Sequence, residues 1–94
     1  MKLLVFHADW CKTCVQQDNE LTEHQPLCEV VKMDINNERM MKFMKDFKVY
    51  DIPTLMLMKD FSIDDQSTWS EDNILERFVD FTETEKINES ITKN

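Results

Sequence analysis

The hydrophobic residues of this chain fall into short blocks, and the spacing within each block indicates a strand or a helix. Residues 3–6 are an uninterrupted apolar run that predicts a buried strand. Residues 12–23 contain no helix breaker and predict a helix with a thin apolar stripe, which Pro26 ends. Residues 28–33 include two adjacent valines and predict a second strand. The first third of the chain therefore has the pattern strand, helix, strand.

The middle of the chain carries the clearest helix signal. Apolar residues at positions 40, 43, 44 and 47 follow the i, i+3, i+4, i+7 spacing of one helix face, and residues 34–37 supply turn and N-cap chemistry before them. We therefore predict a second helix that ends near Phe47. Pro53 follows, and Thr54–Met58 is a continuous apolar run that predicts a third, buried strand.

The last third of the chain is predicted to contain a strand pair and a helix. Residues 61–69 include polar turn residues and predict a short antiparallel strand pair. Residues 70–73 are predicted to open a last helix, whose apolar face consists of Ile74, Leu75, Phe78, Val79 and Phe81. Residues 83–94 are polar apart from two isoleucines, which predicts either a helical extension or a frayed tail.

Together these elements predict an α/β fold in the order β-α-β-α-β-β-α. The two early β-α-β steps imply parallel pairing, whereas strands that follow one another without a helix imply antiparallel pairing. The expected result is a mixed four-stranded sheet flanked by helices. At 94 residues the chain is expected to form a single domain, residues 1–94, with residues 83–94 as its polar C-terminal extension or tail.

Composition narrows the possible partners and the compartment. The formal net charge is -8, so nucleic acid and membrane are poor partners, because an acidic surface repels phosphate groups and anionic lipid. No apolar stretch approaches the roughly 18 residues of a membrane span, and the N-terminus does not have the pattern of a signal peptide, so a cytoplasmic location is expected. Glycine is absent, so turns and helix ends are expected to use Asn, Asp, Ser or Pro.

Two cysteines three residues apart are the main candidates for chemistry. Cys11 and Cys14 lie where the first strand gives way to the first helix, and positions i and i+3 share a helix face. The helix N-terminus and the neighbouring Lys12 stabilise a thiolate on Cys11, while Cys14 lies one turn further in. We therefore expect a thiol–disulfide redox site in which Cys11 is the nucleophile and Cys14 resolves the mixed disulfide.

Metal binding is the alternative reading of a Cys-X-X-Cys pair. A structural zinc site needs two further ligands with matched spacing. The candidates are His7, His24 and Cys28, but they lie on segments that are not expected to converge on the pair, so we predict no metal. Cys28 is expected to act as a small buried hydrophobic residue, and the alternative is an exposed thiol able to form an inter-chain disulfide.

Two motifs in order resemble the thioredoxin superfamily. The first is WCKTC at residues 10–14, directly after a strand, and the second is DIPT at residues 51–54, directly before a buried strand. The resemblance covers residues 2 to about 81. It implies a thioredoxin-like fold that lacks the N-terminal β-α unit of full-length members. It also implies a redox-active disulfide between Cys11 and Cys14, with no other cofactor.

The resemblance assigns roles to the residues around the cysteine pair. It implies that Pro53 is a cis proline packed against the disulfide and that Ile52 presents its backbone to a substrate chain as an added strand. Trp10 would form part of the docking surface, and packing alone is the alternative for that side chain. The remaining substrate-binding or supporting residues are expected to be Lys12, Thr13 and Thr54.

The function implied by the resemblance is that of a thioredoxin-like enzyme that reduces protein disulfides. Two alternatives stay open: a more oxidising dithiol oxidase or isomerase, and a non-enzymatic binding module with the same fold. The implied partners are protein disulfides, with ribonucleotide reductase as a candidate, and an electron donor similar to thioredoxin reductase. The protein is expected to be a monomer.

Several positions depart from the family pattern. Val5 stands where the family has a buried Asp that is thought to take the proton of the second cysteine. Lys32 matches a lysine near that acid and is therefore expected to lack an anionic partner here. His7 replaces an aromatic residue; packing is the expected role, and a proton relay is the alternative. Lys12-Thr13 replaces Gly-Pro between the cysteines. Ser67 is expected to replace a glycine that lines the substrate groove.

Overall fold

The computed structural model describes all 94 residues, Met1–Asn94. Its strands are β1 (Lys2–His7), β2 (Glu29–Asp34), β3 (Thr54–Met58) and β4 (Ile74–Val79). Its helices are α1 (Lys12–Glu23), α2 (Glu38–Asp46) and α3 (Thr84–Lys93). Two short 3-10 turns, Gln66–Thr68 and Glu71–Asn73, lie between β3 and β4. The α/β class and the order β-α-β-α-β-β-α are confirmed.

The four strands form one mixed sheet in the order β2-β1-β3-β4. β1 runs parallel to β2, which places Val5 opposite Lys32. β3 runs antiparallel to β4, as predicted for consecutive strands that no helix separates. It also runs antiparallel to β1, so the prediction of parallel pairing for both early β-α-β steps is confirmed for β1 and β2 and wrong for β3. β3 is buried along its whole length, whereas β2 is an edge strand. No helix combines the length and the apolar character that crossing a membrane would require.

Side chains that alternate along the strands form one hydrophobic cluster on each face of the sheet. Leu4 and Phe6 of β1 point towards α2, and Leu3 and Val5 point the other way, towards α1 and α3. The cluster on the α2 face has ten buried residues: Leu4, Phe6, Met33, Met40, Phe43, Phe47, Val49, Met56, Met58 and Phe61. The cluster on the other face has seven: Leu3, Val5, Leu21, Leu55, Leu57, Phe78 and Ile87.

The end of α2 shows how the chain turns without glycine. Phe47 ends the helix, as predicted, and Lys48 takes a left-handed conformation with φ of 56°. Such a conformation is unfavourable for a residue with a Cβ atom. Arg77 of β4 donates a hydrogen bond of 2.7 Å to the Phe47 carbonyl and a longer one to the Lys48 carbonyl. The expectation that only Asn, Asp, Ser or Pro would serve at such positions is therefore wrong for Lys48.

The last helix predicted from residues 70–73 onward is wrong, because Ile74–Val79 is strand β4. The register between β3 and β4 shifts at Leu57/Met58, so that Met58 pairs with Ile74 and Leu57 with Glu76. This irregularity leaves Leu75 and Phe78 on the same face of the sheet, three residues apart. Helix-like spacing therefore arises from a strand, and the true last helix is α3, which lies in the segment predicted to be an extension or tail.

The strand pair predicted in residues 61–69 is also wrong. The segment forms a single isolated bridge between Ser62 and Asp65, followed by a 3-10 turn. Aromatic packing holds it in place: Trp69 stacks on Phe61 with ring centroids 6.1 Å apart and meets Phe43 of α2 edge-on. The Trp69 indole N–H also donates to the Ser62 carbonyl at 2.8 Å. Side chains therefore replace the backbone ladder that was predicted.

Gln17 is a fully buried polar residue on the inner face of α1. Its side-chain Nε2 donates to the Thr82 carbonyl at 2.9 Å, and its Oε1 accepts from the Thr82 N–H at 2.8 Å. Nearby, Glu20 accepts a hydrogen bond from the Thr84 N–H at 2.9 Å. The position that should carry a hydrophobic residue on a core-facing helix therefore anchors α1 to the segment between β4 and α3.

We predict that Gln17→Leu destabilises the protein by about 2 to 4 kcal/mol. The substitution leaves both the N–H and the carbonyl of Thr82 buried without a partner, and each such group costs roughly 1–3 kcal/mol. The free energy of unfolding in urea measures the effect. Gln16→Leu, at the exposed neighbouring position, is the matched control and should change stability little. Equal stability of the two variants would contradict the anchoring role.

Candidate functional site

The two cysteines of the WCKTC motif lie at the start of α1, as predicted. Cys11 is the N-cap residue of the helix, and its Sγ accepts a hydrogen bond from the Cys14 N–H at 3.1 Å. Both residues are thiols in this structure. Cys11 is half-buried, whereas Cys14 is only 5% exposed. The hydrogen bond and the positive end of the helix dipole both stabilise negative charge on the Cys11 sulfur.

Burial changes the chemistry of Cys14. Loss of solvation, together with a smaller effect of the hydrogen bond to the Cys11 side chain, raises the pKa of the Cys14 thiol from 9.0 to about 11. A backbone hydrogen bond with Ala8 acts in the opposite direction. Cys14 is therefore a neutral thiol near pH 7.

The Pro53 turn forms the other side of the site. The Ile52-Pro53 peptide bond is cis, and the Cys11 Sγ lies 4.0 Å from the Ile52 carbonyl oxygen. The Thr54 hydroxyl donates to the Asp51 carbonyl at 2.6 Å and so closes the turn around the proline. The fold thus brings the two motifs, 41 residues apart in sequence, into contact at Cys11.

The other residues predicted for the site surround this contact. Trp10 is 71% exposed and precedes Cys11 in a turn that the Cys11 N–H closes on the Ala8 carbonyl at 3.2 Å. Lys12 is exposed on the first turn of α1, and Thr13 is half-buried. Trp10 does not pack into either hydrophobic cluster. Its exposure favours a contact surface over the packing role considered for it.

Asp80 and Tyr50 are site neighbours that the sequence analysis missed. The Asp80 N–H donates to the Pro53 carbonyl at 2.9 Å, and Asp80 adopts φ of 70° at the end of β4. Ser67, expected at the groove position, instead lies in a 3-10 turn and hydrogen bonds to Asp65. Asp80 was missed because its segment was assigned to a helix. Tyr50 is 80% exposed two residues before Ile52, and only its position beside the DIPT motif could have identified it.

A cavity of about 540 Å³ opens behind the cysteine pair, between α1 and the edge strand β2. Fourteen residues line it, among them Val5, His7, Cys14 and Cys28. Cys28 is half-buried against the cluster on the α1 face, and burial raises the pKa of its thiol. Its surroundings favour the predicted packing role, although the residue is not fully enclosed.

Charged residues stand at the wall of this cavity. Lys32 was expected to lack an anionic partner, because Val5 occupies the position of the family's buried acid. The structure corrects this expectation, since Lys32 forms a salt bridge with Asp18 of α1. Both side chains are about half exposed, so the pair is solvated. Neither His24 nor Cys28 joins Cys11 and Cys14 in a cluster of three or more potential metal ligands.

The comparisons with known proteins agree with this geometry. The family model named Thioredoxin matches residues 1–89. A comparison with curated protein sequences found no match.

Many solved structures are similar to this one, and three of them are described by their sequence identity and TM-score. Thioredoxin-2 of a malaria parasite is 22% identical with a TM-score of 0.70, over 99% of this chain and 82% of that one. Mitochondrial thioredoxin 3 of Saccharomyces cerevisiae is 20% identical with a TM-score of 0.69, over 99% and 77%. Fasciola hepatica thioredoxin is 25% identical with a TM-score of 0.64, over 98% and 78%. Because the family model spans nearly the whole chain and the fold agrees with these structures, the chain belongs to the thioredoxin family.

Proposed function

We propose that this protein is a thiol–disulfide oxidoreductase that reduces protein disulfides with Cys11 and Cys14. The observation that carries the proposal is the asymmetry of the pair. Cys11 lies at a helix N-terminus, 4.0 Å from the Ile52 carbonyl, and Cys14 is buried behind it with a pKa of about 11. One sulfur is thus placed to meet a substrate, and the other is protected from solution reagents.

In the first step, the Cys11 thiolate attacks one sulfur of a substrate disulfide. A bond forms between Cys11 and that sulfur, the substrate S–S bond breaks, and the other substrate sulfur leaves as a thiolate that takes up a proton. The Cys14 N–H and the helix dipole stabilise the attacking thiolate. Cys14 does not compete for the substrate, because it is protonated and 5% exposed.

In the second step, Cys14 loses its proton and attacks the Cys11 sulfur. The Cys11–Cys14 bond forms and the bond from Cys11 to the substrate breaks, so the substrate leaves fully reduced. The two cysteines have lost two electrons and the substrate disulfide has gained them. An external dithiol donor, similar to thioredoxin reductase in kind, would restore the reduced pair. No other cofactor takes part in this cycle.

Substrate docking is proposed to use the surface around Cys11. Ile52 makes no hydrogen bond to another backbone group, and its carbonyl has only the 4.0 Å contact with the Cys11 Sγ. Its backbone is therefore proposed to pair with an extended substrate segment. Trp10 presents exposed aromatic surface beside the cysteine, and Lys12, Thr13 and Thr54 support the two motifs. We propose a cytoplasmic, monomeric protein with protein disulfides as substrates, ribonucleotide reductase being a candidate from the family resemblance alone.

We predict that Cys11→Ser reduces insulin-disulfide reduction, driven by dithiothreitol, to the uncatalysed background. Cys14→Ser should lose turnover but accumulate a covalent mixed disulfide with the substrate, which intact-mass measurement would detect. Cys28→Ala is the matched control, because it removes a thiol that takes no part in the proposed cycle. Full activity of Cys11→Ser would refute the proposed function, and loss of activity in Cys28→Ala would require a third redox thiol.

Alkylation at different pH values should separate the two thiols. With Cys28→Ala as background, iodoacetamide should label Cys11 at pH 7, whereas Cys14 should resist labelling until the pH rises towards its pKa of about 11. Below that pKa the buried thiol keeps its proton, and above it the reactive thiolate forms. Peptide mass spectrometry assigns the label to each residue. Rapid labelling of Cys14 at pH 7 would show that the two cysteines are not distinguished as proposed.

The reduction potential of the Cys11–Cys14 pair tests the direction of electron flow. A reductase should have a potential near that of thioredoxin, about -270 mV, when equilibrated with glutathione buffers of known ratio. A potential near -120 mV, on the order of that of a strong dithiol oxidant, would instead support the oxidase alternative. Lys12→Gly is an informative companion variant, because Lys12 is the only basic residue between the cysteines.

A further inference from the structure

The second step of the proposed cycle needs a proton acceptor for Cys14. At neutral pH the buried thiol holds its proton, since its pKa is about 11. The sulfur cannot attack Cys11 until that proton leaves. Cys14 lines the cavity between α1 and β2, so the acceptor should be sought among the other groups that line this cavity.

His7 lines the same cavity as Cys14. It is the last residue of β1, and strand alternation places its side chain on the face of Leu3 and Val5, towards α1. Ala8, the residue that follows His7, lines this cavity too. Cys14 and His7 therefore border the same cavity at the end of β1.

The other charged or titratable groups facing this cavity are poor acceptors. Asp18 on α1 is engaged in the salt bridge with Lys32 of β2, and Asp9 lies in the exposed turn after β1. Carboxylic acids ordinarily titrate near pH 4 and hold a thiol proton weakly at neutrality, and a lysine ammonium group has no lone pair with which to accept one. Cys28 is itself a thiol whose pKa burial raises.

An imidazole fits the task better than any of these groups. Its ordinary pKa is near 6.5, so the neutral ring is an effective base close to neutral pH. The His7 side chain makes no hydrogen bond to another protein group, and its backbone carbonyl accepts from the Ile35 N–H at 3.0 Å. Asp34, which pairs with His7 in the sheet, accepts from the Asn36 N–H at 2.9 Å through its Oδ1. A ring nitrogen of His7 is therefore free to accept a proton.

We propose that the His7 imidazole accepts the Cys14 proton, directly or through one water in the cavity, when Cys14 attacks the Cys11 mixed disulfide. This inference rests on the proposed function. The proton passes from the Cys14 sulfur to the His7 ring, the Cys11–Cys14 bond forms, and the substrate leaves as a thiolate. The imidazolium then returns its proton to solvent or to the departing thiolate, which restores neutral His7.

The test separates the two steps with 5,5′-dithiobis(2-nitrobenzoic acid). In stopped flow, Cys11 attack releases one coloured thiolate in a phase that depends on reagent concentration. Cys14 attack on the resulting mixed disulfide releases a second one in a concentration-independent phase. We would compare the wild type with His7→Gln and His7→Phe, all carrying Cys28→Ala. His24→Gln is the matched control, because His24 ends α1 at the far end from the cysteines.

We expect both His7 variants to slow the second phase on the order of 100-fold at pH 7, at the low end of the effect of a positioned base. The first phase should survive, and His24→Gln should match the wild type. The wild-type second phase should slow as the pH drops, because a protonated imidazole cannot accept a second proton. The deficit of the variants should shrink towards high pH, where hydroxide removes the proton.

Other outcomes overturn the proposal. A second phase of wild-type rate in either variant excludes His7 as the acceptor; for His7→Phe this would mean that the ring only packs. A deficit that is the same at every pH would indicate a displaced helix rather than a lost base. Thermal unfolding of each variant verifies the fold, and if His7→Gln does not fold, His7→Phe and the wild-type pH profile decide. A missing Cys11-dependent first phase in the wild type would refute the proposed function itself.

Discussion

The placement of the reactive dithiol depends on the two buried hydrogen bonds between Gln17 and Thr82. They tie the second turn of α1 to the segment after β4. The same segment holds the Pro53 turn, because the Asp80 N–H donates to the Pro53 carbonyl. The helix that carries Cys11 and the turn that faces it are therefore positioned by one short stretch of chain. A shift of residues 80–82 would move both sides of the site.

This arrangement places a polar residue in the core where the position of α1 relative to the Pro53 turn must be fixed. A hydrophobic contact at position 17 could slide, since burial of apolar area has no preferred direction. Two hydrogen bonds to one backbone residue define both a distance and an orientation. They stabilise the fold only while both partners are present, because each unpaired buried group is costly. The same two hydrogen bonds thus fix the geometry of the site and make it sensitive to substitution at Gln17.

The sequence predicted the parts of the molecule that obey simple periodicity or a strong motif. The limits of β3 and the end of α2 are confirmed, because each has one clear apolar pattern. The limits of α1 are confirmed because no helix breaker interrupts residues 12–23. β4 was mistaken for a helix because an irregular register with β3 disturbs its alternation. Asp80 was missed as a neighbour of the site for the same reason, because it directly follows β4. Gln17 was inaccessible to pattern analysis, because its partner Thr82 lies 65 residues away and offers only backbone groups.

Burial of Cys14 connects the fold to the chemistry in a way that the sequence motif does not reveal. A neutral, enclosed thiol cannot compete with Cys11 for substrates or be modified easily by other reagents. The same burial makes the thiol slow to lose its proton at the moment when, in the proposed cycle, it attacks Cys11. A base nearby can remove this conflict only if it accepts a proton near neutral pH without stabilising the Cys14 thiolate beforehand. The imidazole proposed for this role is suited to both conditions, since a neutral imidazole carries no positive charge until it has taken the proton.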